Sequence, residues 1–397
     1  MSTENRKLNP LVFSVLVIYP LLLIALGTWY ISTYGISSFE IILFICTYYA
    51  ANISIGVGLH RCWSHGAYKL NKYVEFIFAM ISAGTLQGPA LVWCSDHYNH
   101  HTYTDEEGDP HTPAKYGGGL RGFFWAHIGW MLFSDGKYHV GKITMVKLGR
   151  NKILRWQMKY YWHIAIFMNA VLPPILGFLI GGTVHAAIAA FIFMGLARML
   201  QQQMTFCVNS LCHFVGSRTY YDGTARDISW MFIFLLGENW HNFHHAFAMD
   251  YRNGVKWYHL DIHKWIIYGL SKLGLATDLI RTSDVRIKAK IEETKRLTQA
   301  SIKTKLSLVE EAANFIAKAA EERLSQAESS AEAIAKKLRD QIVTLQIKAN
   351  AIAEHAREVM SSSDVLSRNI AKKYTKQLDK LKHLAKELNL SLPEYSL

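Results

Sequence analysis

Three short histidine runs carry the chemistry open to this sequence: His60-Arg-Cys-Trp-Ser-His65, His97-Tyr-Asn-His100-His101 and His241-Asn-Phe-His244-His245. The second and third share the pattern His-x-x-His-His. Positions i, i+3 and i+4 of a helix lie on one face, so each run is expected to aim three imidazoles at one point. In the first run the five-residue separation suits a helix end, with His60 closing a helix and His65 just beyond it. Eight imidazoles exceed what one tetrahedral zinc ion could use, and two metal ions sharing them is the economical reading. Imidazole suits iron, zinc and copper alike, so ligand type does not choose the metal. Asp96, Asp105, Asp109 and Glu238 are placed to orient the rings by accepting their second N–H. Isolated histidines such as His163, His185, His355 and His383 read as ordinary packing or surface residues.

The elements that must hold these rings are apolar. Long hydrophobic runs at 11–33, 38–59, 162–180 and 185–207 are each of bilayer-crossing length. The first is too long for a signal sequence core and lacks a small-residue cleavage site, so it reads as a retained span. No Lys or Arg falls between Lys7 and Arg61, nor between Lys159 and Arg198. The short connections near 32–38 and 181–184 are therefore free of positive charge, as expected of external loops. Four spans follow, with both termini and all histidine runs on the cytoplasmic side. The segment 74–93 is apolar enough to pass for a fifth span, but crossing there would put the first two histidine runs on opposite faces. Gly84, Gly88 and Pro89 break it, so it reads as an interfacial or re-entrant piece. The spans carry almost no ionisable residue at mid-depth, against a transporter or a metal-binding membrane scaffold.

Residues 285–397 follow a different rule: no Gly, no Trp and one proline, Pro393. From Ile302 to Val359 apolar residues recur at steps of 3 and 4 with an 18-residue repeat, the signature of a nearly straight amphipathic helix. At about 1.5 Å per residue it would reach roughly 87 Å. Asp364 is a candidate N-cap for a shorter second helix, and the two could form a hairpin. The expected division is thus a membrane domain at 1–284 and a helical, coiled-coil-like cytoplasmic tail at 285–397. The net charge of +12 is shared evenly between the two and not blocked, which argues against nucleic acid. Five cysteines without a CxxC pair read as buried fillers on a reducing side.

The stretches GVGLHRCWSH from Gly56, DHYNHHTYTDEEGDPH from Asp96, RGFFWAHIGW from Arg121 and GENWHNFHHAFAMDYRNG from Gly237 resemble the membrane delta-9 fatty acyl desaturases. The resemblance covers roughly residues 10–280, with the three histidine boxes in that family's order and spacing. It implies that His60, His65, His97, His100, His101, His241, His244 and His245 are iron ligands. It also implies that His213, in Asn209-Ser-Leu-Cys-His213, is a ninth ligand and that Asn209 holds a metal-bound water. It places Trp93, Gln87 and Thr205 at the bend of an acyl tunnel. The expected protein is an all-α integral membrane enzyme, four spans under a cytoplasmic helical cap, with two iron ions and O2 as co-substrate. Two hydrogens would leave adjacent methylenes of a long saturated acyl chain to give a cis double bond, delta-9 favoured. A methylene has no acidic proton, so a redox metal is required.

The sequence departs from the animal acyl-CoA members, which carry basic residues just before the second box and after the Gly-Trp pair. Ser95 and Ser134-Asp135 stand there instead. That leaves acyl-phospholipid and acyl carrier protein substrates open, although Asp250 to Gly254 favours acyl-CoA. The tail has no glycine and cannot supply the HPGG motif of a fused cytochrome b5 domain. A separate carrier (ferredoxin, rubredoxin or cytochrome b5 with its reductase) is expected to bring electrons. Self-association or donor docking is expected of the tail, and a bacterial inner membrane is favoured over the endoplasmic reticulum. A histidine-box hydroxylase is the nearest competing function.

Overall fold

A computed structural model describes residues 7–134 and 137–301, together with Thr304 and Phe315. The chain divides into two compact units, Met1–Ile291 and Glu292–Leu397. The long tail stripe, the Asp364 cap and the hairpin lie outside the described residues.

Four helices are long and apolar enough to cross a membrane: Pro10–Tyr34, Ser38–Ser64, Tyr161–Gly181 and Val184–His213. The second and fourth run past the hydrophobic stretches that announce them, the second to Ser64 and the fourth through a 3-10 turn to His213. These added turns carry histidines, so hydropathy alone misses them. Asn9 caps the first span by accepting from the Leu11 and Val12 amides. A Ser37–Glu40 capping box starts the second. The spans expose Leu21, Leu22, Ile42 and Leu179 outward and bury small residues between them. A Cβ on Gly177 would meet the Ala186 carbonyl oxygen at 2.4 Å, and one on Gly181 the Ala186 Cβ at 2.4 Å. This Gly-x-x-x-Gly face lets the third and fourth helices touch at backbone distance. The spans are not wholly free of charge: Glu40 is buried where it accepts from Tyr30, and Arg198 is buried near the middle of the fourth helix.

The apolar segment after the first box is broken before its helix reaches bilayer-crossing length. A helix at Lys72–Gly84, about 20 Å long at 1.5 Å per residue, is stopped by a turn in which Leu86 and Gly88 adopt positive φ (58° and 94°). A new helix, Ala90–Thr102, then carries the second box back toward the first. The run from Trp230 to Leu236 is a 3-10 turn and a four-residue helix. One feature breaks the all-helical expectation: Lys69–Leu70 pairs antiparallel with Ala276–Thr277. The main buried cluster joins Val57, Leu59 and Trp63 of the second span to Leu91 and Cys94 beside the second box and to Ile267 of helix Ile262–Lys272. The elements holding the first and second boxes thus share one core, while Phe243 of the third-box helix packs in a separate cluster with Tyr220 and Ile287.

Candidate metal centre

The first box straddles a helix end as its spacing suggests: a π-helical stretch, Ser54–Ser64, carries His60, and His65 is the residue that caps it. The His65 amide donates to the His60 carbonyl at 3.2 Å, closing an i+5 turn. In an α-helix these residues would diverge by about 140°. The wider turn brings their ring centroids to 4.9 Å. Such π segments recur where function overrides regular geometry.

The expectation that each box aims three rings at one point does not hold. The imidazoles divide across boxes: His60, His65, His97, His101 and His244 form one group, and His100, His213, His241 and His245 the other. Successive helix residues turn by about 100°, so i and i+4 stay within about 40° while i+3 swings away. Hence His97 and His101 share a group that excludes His100, and His241 and His245 one that excludes His244.

All nine rings turn Nε2 inward. The Nε2–Nε2 separations are 2.8 Å for His65–His97, 3.0 Å for His60–His244, His101–His244 and His213–His241, 3.1 Å for His241–His245 and 3.2 Å for His100–His245. Ligands about 2.1 Å from one ion, near right angles, lie about 3 Å apart. The outer nitrogens settle the tautomers. His60 Nδ1 meets the Glu238 carboxylate at 2.6 Å and His100 Nδ1 that of Asp109 at 3.0 Å. A carboxylate only accepts, so these Nδ1 atoms carry hydrogen and the Nε2 atoms present lone pairs. His213 Nδ1 lies 2.8 Å from the Thr224 hydroxyl, which in turn donates to Asp105. Lone pairs facing one another at 3 Å repel unless a cation lies between them, and the donor set therefore fits two metal ions. Burial pushes His65, His97, His101, His241, His244 and His245 well below the usual 6.5, and the neighbouring histidines push the same way, with Glu238 opposing at His65 and His241. The rings are neutral and ready to ligate.

Of the four carboxylates read from the sequence, Glu238 and Asp109 back imidazoles directly and Asp105 acts through Thr224. Asp96 instead faces the cleft beside His97, where burial pushes it up to about 7. Glu238 is itself held by groups that sequence reasoning missed. Arg61 Nε and Nη2 reach it at 3.0 and 2.9 Å, His263 Nδ1 at 2.9 Å and Asn253 Nδ2 at 2.9 Å. Asp261, fully buried, takes the other side of Arg61 at 3.0 and 3.1 Å. Gly56 makes room for His263, whose ring a Cβ there would meet at 2.0 Å. Arg61, inside an apolar run beside His60, was the one signal in the sequence.

Gln87, Trp93, Thr205 and Asn209 line a single cleft with His97, walled by Trp130, Met131 and Phe206. Trp93 stacks on His97 with centroids 5.0 Å apart. Within the cleft lining Gln87 donates to the neighbouring Gln201 at 3.3 Å, and Gln201 to Thr205 at 2.7 Å. His111, unassigned by its sequence position, lines the same cleft, and its ring lies 4.2 Å from that of His100.

A family model, Fatty acid desaturase, matches residues 37–276. The chain is 35% identical over 258 residues to a Schizosaccharomyces pombe protein named "Probable acyl-CoA desaturase", covering 64% of this chain and 52% of that one. It is 32% identical over 269 residues to Acyl-CoA desaturase 1 of Saccharomyces cerevisiae, covering 66% and 51%. With Delta-9 acyl-lipid desaturase 1 of Arabidopsis thaliana it shares 34% over 241 residues, covering 59% and 73%. The chain thus spans about half the length of the two yeast proteins. Every histidine of the two groups lies inside the matched region, and the chain belongs to the fatty acid desaturase family, beside its acyl-CoA and delta-9 acyl-lipid members.

Proposed function

We propose that the protein is an O2-dependent fatty acyl desaturase that places a cis double bond, at the delta-9 position, in a long saturated acyl chain. The observation that carries this reading is the pair of inward-facing imidazole groups, of which His97 lines a cleft together with Gln87, Trp93 and Thr205. His60, His65, His97, His101 and His244 would hold one iron, and His100, His213, His241 and His245 the other, with Asn209 reaching it through a water. Two iron ions there supply the one-electron and O2 chemistry that an unactivated C–H bond requires.

The protein's own part is positional. Trp93 is stacked on His97 and sets how closely a chain can pass the metal ligands. Phe206 and Met131 make the passage apolar and exclude water. The Gln87–Gln201–Thr205 hydrogen bonds fix the floor at which an acyl chain must turn or stop. Every methylene is chemically alike, so the carbons held against the ligands are chosen by that geometry, where errors of about 1 Å are costly.

The carrier of the acyl chain is acyl-CoA in this reading, after the yeast relatives' names. A second reading, an acyl-lipid, draws support from two residues. Ser95 is buried and accepts from the Gly141 amide at 2.8 Å, and the Ser134 hydroxyl accepts from Asn9 Nδ2 at 3.1 Å. Neither is free to meet a phosphorylated headgroup. The reading further places the histidine end of the spans on the cytoplasmic side of a bacterial inner membrane. Residues 1–284, extended to Ile291, form the membrane domain, and the tail serves self-association. Expression in a host lacking unsaturated fatty acids should yield palmitoleate or oleate. Membranes supplied with deuterated stearoyl-CoA or deuterated phosphatidylcholine should show which carrier is consumed. Hydroxylated lipid as the main product would refute desaturation, and a bond away from carbons nine and ten would refute the assignment of the bend.

A further inference from the structure

The third box is wired to the surface by a file of aromatic rings. His241 is joined by one peptide bond to Trp240, which is buried. Trp240 stacks on His259 with centroids 3.7 Å apart and planes within 7°, and His259 is itself buried. Tyr258 follows at 5.0 Å and Trp257 at 5.5 Å, and Trp257 is 91% exposed. The stack is held in place. The Trp240 indole donates to the Leu260 carbonyl at 3.0 Å, and Gly254 leaves the space that a Cβ would take from Trp240 at 3.0 Å and from His259 at 2.8 Å. An indole at 91% exposure is normally buried by something, because its apolar area favours leaving water.

The charge around this exit is one-sided. Lys256 lies over the Tyr258 ring at 5.6 Å, and Lys264, over Trp265 at 5.8 Å, donates to the Gly254 and His259 carbonyls. The carboxylate in the same stretch, Asp261, is fully buried against Arg61. A second ring approaches the metal centre, Tyr221 stacked on His245 at 5.6 Å, but Asp105, Glu106 and Asp222 surround it. An acidic partner is repelled there and attracted at Trp257.

Resting on the desaturase reading above, we infer that electrons enter at Trp257 and Tyr258 from a small one-electron carrier protein with an acidic face, and reach the metal centre through His259 and Trp240. Each encounter oxidises the carrier by one electron and reduces one metal ion by one. Two encounters with two solvent protons, plus the two hydrogens taken from the acyl chain, reduce one O2 to two water molecules. Exposed Trp, Tyr and Lys also mark a surface that rests on lipid headgroups. A lipid anchor, however, requires no stacked continuation inward to a histidine box, and that continuation favours the carrier.

The test is anaerobic rapid mixing of the full-length iron-loaded protein in nanodiscs with three reductants: an acidic [2Fe–2S] ferredoxin, the soluble haem domain of cytochrome b5, and dithionite, which requires no docking. The charge reversal Lys256→Glu should slow reduction by a carrier about threefold or more and flatten its ionic-strength dependence. Trp257→Leu with Tyr258→Leu should slow it at saturating carrier, and Trp257→Phe should restore most of the rate. Dithionite reduction and iron content should stay as in the parent protein in all of these. Carrier rates equal to the parent's, an equal loss with dithionite, failure of both carriers to reduce the parent, or loss of nanodisc insertion as the sole defect would each overturn the inference. If dithionite reduces the iron and one turnover gives unsaturated product while the variants match the parent, the entry route alone fails. If no reducible iron or unsaturated product is found at all, the desaturase reading falls and takes the route with it.

Discussion

Replacing Glu238 by glutamine isolates how the metal centre depends on groups that never touch the metal. Four N–H donors converge on this carboxylate, from His60, Arg61 Nε, His263 and Asn253, with Arg61 Nη2 beside it at ion-pair distance. Burial works to raise the Glu238 carboxyl, but Arg61 and His60 hold it well below the usual range. An amide has one acceptor oxygen and turns two N–H groups on the remaining donors. His60 Nδ1 then loses its acceptor, and the ring proton is free to sit on Nε2, the atom that faces the other imidazoles. Loss of such an outer partner typically lowers metal affinity by about 10–100-fold, or ~1.4–2.8 kcal/mol. Arg61 keeps Asp261 but loses its second carboxylate, and breaking a buried ion pair costs about 3–5 kcal/mol of stability. Iron retained per chain should be titrated against a chelator series, with thermal unfolding in detergent measured alongside. E238Q should release iron at a chelator concentration about tenfold or more below the parent and unfold at lower temperature. His263→Gln, which removes one donor and leaves the charge, should fall between the two. Parent-like chelator resistance in E238Q would refute the role given to this network.

His97→Ala leaves four imidazoles in its group, whereas His245→Ala leaves three in the other. Both should abolish product, and only His245→Ala should drop iron toward about one ion per chain; two ions in both by metal analysis would count against the five-and-four division. The unfolded chain takes up protons near pH 6.5, while the buried rings of His65, His97, His101, His241, His244 and His245 resist them. Stability of the iron-free protein is therefore full above pH 6.5 and is lost as pH falls through it, by at most about 1.4 kcal/mol per ring between pH 7.5 and 5.5. A Tm that stays flat or rises over that interval would contradict the buried neutral state. Ile287 packs with Tyr220 and with Phe243 of the third-box helix. Truncation after residue 291 should therefore keep iron and turnover while lowering oligomeric order. Truncation after residue 284 should also lose stability, on the scale of about 2–5 kcal/mol for a buried isoleucine; identical melting of the two would deny the Ile287 contact.

The sequence by itself determined the parts list. Histidine spacing marked eight of the nine rings (His213 came only through the family resemblance), charge-free loops between hydrophobic runs marked four candidate spans, and Gly84, Gly88 and Pro89 marked a break, borne out between Lys72–Gly84 and Ala90–Thr102. These are local signals, set by periodicity and backbone sterics within about one element. Which ring joins which group was decided only by tertiary structure, because membership depends on a 100° difference in azimuth between i+3 and i+4, and on how two helices face each other. The π-helical turn between His60 and His65 was equally hidden, since no residue type demands it and packing imposes it. The same holds for the carboxylate network. Arg61, Glu238, Asp261 and His263 are separated by up to 202 positions, and such pairings leave no trace in spacing. They arise because a buried charge must find its partner wherever the fold brings one.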